Sequence, residues 1–178
     1  MAVQIGAKPD AGFDHPLGML ADCHRRIENF LRVLCHVAET RPDGSLSAKE
    51  RSAVESALAY FRTGGLRHTQ DEEESLFPRM AAAGGAESLE ELGKLEHEHS
   101  EANELHGIAD ELFTEWMAAG QIAEAQRGAL RAATDRLQEL YREHIRVEEE
   151  IVFPQAARQL DAAALAAMGA EFRARRLR

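Results

Sequence analysis

HTQDEEESLFP at residues 68–78 and HIRVEEEIVFP at residues 144–154 share the pattern H-x3-EEE-x2-FP at an offset of 76. The agreement is too long for chance. Upstream, at an offset of 75, Leu17, Leu20, His24 and Ile27 align with Leu92, Leu95, His99 and Ala102. The chain therefore carries one helical hairpin twice. Two such hairpins joined by short loops bury their apolar stripes against each other, which predicts an all-α fold, an antiparallel up-down-up-down four-helix bundle.

Start and stop signals set the helices. The first is predicted to begin near Asp14 to Leu17, with Asp14 as cap and Pro16 in the first turn, and to end at a turn made by Pro42, Asp43 and Gly44. Ser47 and Glu50 form a capping box for the second, which reaches about Met80 and kinks at Gly64-Gly65. Ser88 and Glu91 open the third as a second capping box, and Gly120 ends it after Ala119. The fourth runs from about Ile122 to Phe153-Pro154. A short C-terminal helix capped by Asp161 covers Ala162 to about Arg176 and lies outside the repeat. At 178 residues the chain fits one domain, 1–178, with its bundle core at about 14–156 and the last helix at about 161–176.

Composition narrows the function. A net charge of −10 argues against nucleic acid as a partner, because phosphate binding needs a basic face. The one basic cluster, Arg173, Arg175, Arg176 and Arg178, reads as a complement to the dipole of the last helix. The first residues lack the apolar stretch of a signal peptide and no window approaches a membrane span, so the expectation is a cytoplasmic protein with no membrane partner. Cys23 and Cys35, about 18 Å apart on one helix, cannot pair and read as core thiols.

Helical phase selects the inward polar residues. On the second helix Ala57, Leu58, Phe61 and Leu76 enclose His68 and Glu72, and on the fourth Leu130, Ala133, Leu137, Leu140 and Val152 enclose His144 and Glu148. His24 and His99 lie on the apolar stripes of the first and third, whereas Glu28 and Asn103, one turn further, sit at the edges. Burying four histidines and two glutamates together is costly unless something compensates them. A metal pair does so. Two imidazoles per ion with both carboxylates bridging suits non-haem iron, with zinc or manganese as alternatives, and leaves coordination positions open for a diatomic ligand or peroxide. The neighbouring Glu73, Glu74, Glu149 and Glu150 read as a solvated acidic run. His97 points outward by phase, His15 and His36 read as surface or cap residues, and His106 as lining the core or a channel.

The repeated H-x3-EEE-x2-(L/V)FP and the EHSEANEL around His99 resemble the hemerythrin family, specifically bacterial proteins with the HHE cation-binding domain, over roughly residues 14 to 156. The resemblance implies a four-helix bundle with an oxo- or hydroxo-bridged pair of iron ions, His24, His68, His99 and His144 as terminal ligands, and Glu72 and Glu148 as bridges. Oxygen-carrying hemerythrins have a further histidine one turn after the third-helix ligand, where this chain has Asn103. The set of four histidines and two glutamates is similar instead to the branch that includes the repair-of-iron-centres proteins, although the cysteine-containing N-terminal domain usual in that branch is not expected for this chain. Three readings stay open: a di-iron protein that binds or senses dioxygen, nitric oxide or peroxide or handles iron, a redox enzyme or iron-delivery protein using that centre, and an interaction module with a structural metal. In the last, the C-terminal helix packs on the bundle or makes a homodimer.

Overall fold

The structure, a computed structural model, describes residues 11–40, 45–84 and 86–177, with backbone alone at 86–89. Five helices and no strand occur among them. Helix α1 (Pro16–Thr40) starts on a proline, where the missing N–H costs nothing. Its first bond runs from the Met19 N–H to the His15 carbonyl, so His15 and not Asp14 holds the cap position. The turn at Pro42, Asp43 and Gly44 lies outside the described residues. Ser47 caps α2 (48–83) as expected: the Glu50 N–H donates to Ser47 Oγ and the Ser47 N–H to Glu50 Oε2. Helix α3 (Ala86–Ala119) begins two residues before Ser88, so Ser88 is not its cap, and the Ser88 side chain is not among those described. Gly120, at φ +71°, ends it in the left-handed region that glycine enters without penalty. Helix α4 (124–159) is followed by α5 (Ala162–Arg176), whose cap Asp161 accepts from the Ala164 N–H at 2.8 Å.

Three five-residue π turns interrupt this regularity. Gly64-Gly65 belongs to one (Phe61–Gly65) and is not a simple kink; a Cβ on Gly64 would approach the Tyr60 ring to 2.7 Å. The other two, Glu72–Leu76 and Glu148–Val152, occupy the same place in each half of the repeat. π turns are rare and cluster at functional sites. They also explain why α4 continues past Pro154 to Gln159 and α2 past Pro78 to Ala83. A proline ring collides with the carbonyl four residues back, and the wider turn moves that carbonyl aside.

The helices α1 to α4 pack as a closed ring, α1 on α2, α2 on α3, α3 on α4 and α4 on α1. Their interior is divided. One apolar cluster holds Ile27, Leu34, Phe113, Trp116, Leu130 and Leu137, and another holds Leu20, Leu76, Phe77, Leu95, Val152 and Phe153. Along every helix the polar residues singled out above fall between the two: His24 between Leu20 and Ile27, His99 between Leu95 and Ala102, and so on. At about 1.5–3 kcal/mol per buried large aliphatic or aromatic side chain, both clusters hold the helices on either side of that layer.

Helix α5 packs on α1 and α2. It adds Met168 and Phe172, both fully buried, to the second cluster. Gly169 meets the Phe13 carbonyl so closely that a Cβ there would lie 1.8 Å from the oxygen. Arg175 Nη1 and Arg176 Nη2 donate to the two oxygens of the fully buried Asp71 at 2.8 and 2.7 Å, and Arg175 Nε to Glu74 at 3.1 Å. Arg175 and Arg176 therefore fasten α5 to α2 beside Glu72, a role the dipole reading does not include, while Arg178 of the same cluster lies outside the described residues. Among the described residues no helix is long and apolar enough to cross a membrane.

Candidate metal centre

All six inward residues converge on the polar layer. They make two groups, His24, His68, Glu72 and Glu148, and Glu72, His99, His144 and Glu148, within each of which the candidate ligand atoms lie within 4.8 Å of one another. The carboxylates belong to both groups. Glu72 divides its oxygens: Oε1 faces His68 Nε2 at 3.3 Å and His24 Nε2 at 3.7 Å, and Oε2 faces His99 Nε2 at 3.4 Å. Glu148 Oε2 lies 3.0 Å from His24 Nε2 and 3.3 Å from His144 Nε2. Phe153 stacks on His24 and Phe77 on His99, the same contact made twice by the repeat.

These close approaches lack hydrogen-bond geometry. Nε2 of His24, His99 and His144 and both oxygens of Glu72 and Glu148 are buried without a hydrogen-bond partner among the described residues. Such orphaned atoms each cost about 1–3 kcal/mol, more when charged, so seven in one layer need a common partner. A cation fits. Ligands at right angles on an ion with bonds of about 2.1 Å are about 3 Å apart and at wider angles further, and the contacts here run from 3.0 to 3.7 Å. Nitrogen and carboxylate donors together suit iron, zinc or manganese.

What aims the imidazoles is a feature the sequence reading did not find. The Nδ1–H of His99 on α3 donates to Glu73 of α2 at 2.9 Å. His144 Nδ1–H on α4 donates to Glu98 of α3 at 2.8 Å, and His24 Nδ1–H on α1 to Glu149 of α4 at 2.9 Å. Since an ionised carboxylate only accepts, each bond keeps a hydrogen on Nδ1 and aims Nε2 into the layer, where its lone pair serves a metal once a cation displaces the proton. Glu73 and Glu149 are thus not merely solvated, although Glu74 and Glu150 are occupied by Arg175 and Arg146 at the surface. His68 stands apart, for its Nδ1 is buried with no hydrogen-bond partner among the described residues.

Electrostatics separate the same residue. Burial alone would lower the pKa of all four histidines. The charge of Glu148 and Glu72 close to the ring overcomes that at His24, raising it to about 10, and Glu72 with Glu73 does the same for His99. His144 rises to about 9 through Glu148 and Glu98, whereas at His68 burial prevails and the pKa falls to about 4. Burial likewise pushes both glutamates up, but the surrounding imidazoles bring them below the ordinary range.

The remaining candidates fall outside the layer. His15, His36 and His97 are exposed, as is Asn103. His106 lines a cavity of about 300 Å³ with His99, Asn103 and Tyr141, stacks on Phe61, and its Nε2 lies 3.0 Å from the Tyr141 hydroxyl. Burial lowers its pKa to about 4. The cavity therefore reaches the layer at His99 from the α2–α3 side, with the Glu73 carboxylate among otherwise neutral polar groups in its wall. Cys23 is buried and Cys35 partly so, both as free thiols.

Residues 15–156 match the family model described as the hemerythrin HHE cation binding domain. The chain is also 29% identical, over 170 residues covering 93% of it and 92% of the relative, to an uncharacterized protein of Haemophilus influenzae. No solved structure matches it.

Proposed function

The chain belongs to the hemerythrin HHE cation-binding family, and on that premise we propose that it holds two iron ions in the polar layer and engages a small ligand there, namely dioxygen, nitric oxide or peroxide. The observation that carries this reading is the set of orphaned buried donors shared between two overlapping groups. His24 and His68 serve one ion, His99 and His144 the other, and Glu72 and Glu148 span both, with an oxo or hydroxo bridge completing the pair. Such a centre supplies reversible ligand binding or electron transfer toward diatomic molecules and peroxide.

The protein's own residues do the rest. Glu73, Glu98 and Glu149 hold three imidazoles in one tautomer, and Phe77 and Phe153 close the layer against the second apolar cluster. The cavity at His106 and Tyr141 gives a small molecule a route inward. Asn103 at its wall supplies no fifth imidazole, which favours sensing, scavenging or iron handling over oxygen carriage. Zinc or manganese fits the same donors. The duplication and the closed ring of contacts support reading α1 to α4 as an antiparallel up-down-up-down bundle within a single domain.

Loading with ferrous iron without oxygen, followed by air, should give about two irons per chain and a charge-transfer band in the near ultraviolet or visible, and Glu148→Ala should lose iron. Azide or nitric oxide should shift that band. Two irons without any ligand-dependent shift would point to a structural metal, and colourless iron-free protein would end the proposal.

A further inference from the structure

The three carboxylate–imidazole bonds run in one sense around the bundle: α2 supports the histidine of α3, α3 that of α4, and α4 that of α1. Closing the ring needs a carboxylate on α1 for His68 of α2. The repeat states which residue that would be. His144 corresponds to His68 at the offset of 76, and Glu98, one before His99, corresponds to Cys23, one before His24, at the offset of 75. The fourth support position is thus held by a buried thiol that makes no hydrogen bond to the ring, and His68 Nδ1 is the orphan that results.

We propose that the two metal positions are inequivalent by construction: the His99–His144 position fills first and holds its ion more tightly, and the His24–His68 position is the exchangeable one. This rests on the two-metal reading above. A carboxylate behind an imidazole fixes its tautomer and raises its basicity as a ligand, and removing one lowers metal affinity about 10–100-fold. Glu98 and Cys23 are positioning residues, since each acts through a histidine. A protein with one retained and one exchangeable ion has a stable one-metal form, which suits a role in sensing or passing on metal.

The test is titration of the metal-free protein with Zn²⁺, a diamagnetic probe, followed by calorimetry and by the ring nitrogen resonances of histidine in labelled protein. His99 and His144 should shift with the first equivalent and His24 and His68 with the second. Repulsion between the cations separates two steps even in a symmetric site, so the response of each step to substitution decides. Cys23→Glu should tighten the weak step about tenfold or more and leave the strong one in place. Glu98→Gln, at a partly exposed position, should weaken the strong step by a similar factor. Cys23→Ser should change neither. Filling of His24 and His68 first, or a weak step unmoved in a folded Cys23→Glu protein, overturns the proposal. If Cys23→Glu does not fold, a strong step unmoved by Glu98→Gln overturns it equally. Zn²⁺ that shifts none of the four histidines would instead remove the two-metal reading itself.

Discussion

Replacing Asp71 by alanine should cost the protein about 2–3 kcal/mol and loosen α5. Asp71 is fully buried and accepts from Arg175 and Arg176, whose side chains are only 13% and 25% exposed. Removing one partner of a buried ion pair costs about 3–5 kcal/mol, because the other charge is left uncompensated. The value belongs below that range. Arg175 keeps Glu74 and Ser75 Oγ, and Arg176 keeps the Phe172 carbonyl. Burial also pushes the Asp71 carboxyl up, and the two guanidiniums only partly draw it back, so ionising Asp71 in place is no gain; the loss comes from the stranded arginines. Asp71→Asn keeps one acceptor for two guanidiniums and turns an N–H donor toward the other, so it should lose nearly as much, about 2 kcal/mol. Urea unfolding followed by the fluorescence of Trp116, buried in the opposite apolar cluster, reads global stability, and limited proteolysis reads the release of α5. In a cycle with Arg175→Ala/Arg176→Ala, the three groups should couple by at least 1 kcal/mol. Additive effects, or a loss below about 0.5 kcal/mol for Asp71→Ala, would refute the clamp.

Other expectations follow from the same geometry. His106 titrates near pH 4 when folded and near 6.5 when unfolded, so the unfolded chain takes up the proton first. Stability should hold above pH 6.5 and fall toward pH 4 by up to about 3 kcal/mol from this group, of which about 2 kcal/mol falls between pH 7 and 5, and His106→Phe should remove that part from a urea series at those two pH values. Gly169→Ala should cost about 1–3 kcal/mol in a thermal scan, because the backbone of Phe13 has to move to admit the methyl. Metal at a hundredfold excess over its dissociation constant should add about 2.7 kcal/mol to stability, and a chelator should reverse it. An unchanged melting temperature would count against binding within the folded layer.

Much of this was legible in the chain before any coordinates, and the reasons differ by residue. Phase along single helices sufficed to gather His24, His68, Glu72, His99, His144 and Glu148, since each lies among apolar neighbours of its own helix. Ser47 and Asp161 were legible because caps are local. Glu73, Glu98 and Glu149 were not: they lie on the rim, with side chains 37%, 33% and 43% exposed, and only the approach of the next helix gives them a purpose. Asp71 with Arg175 and Arg176 escaped for the same reason, being more than a hundred positions apart. The π turns did leave a trace. Leu76-Phe77 and Val152-Phe153 are adjacent apolar pairs, buried together, which a single stripe of period 3.6 accommodates poorly.

The division of the interior has a consequence for how such a protein can change over time. An undivided core would make every exchange of a ligand a threat to folding. Here the helices are gripped above and below the polar layer by two separate apolar clusters, so substitutions within the layer alter chemistry while the scaffold stays assembled. A bundle arranged this way is a chassis on which ligand sets can drift, and Cys23 beside His24 is the kind of variation that it tolerates.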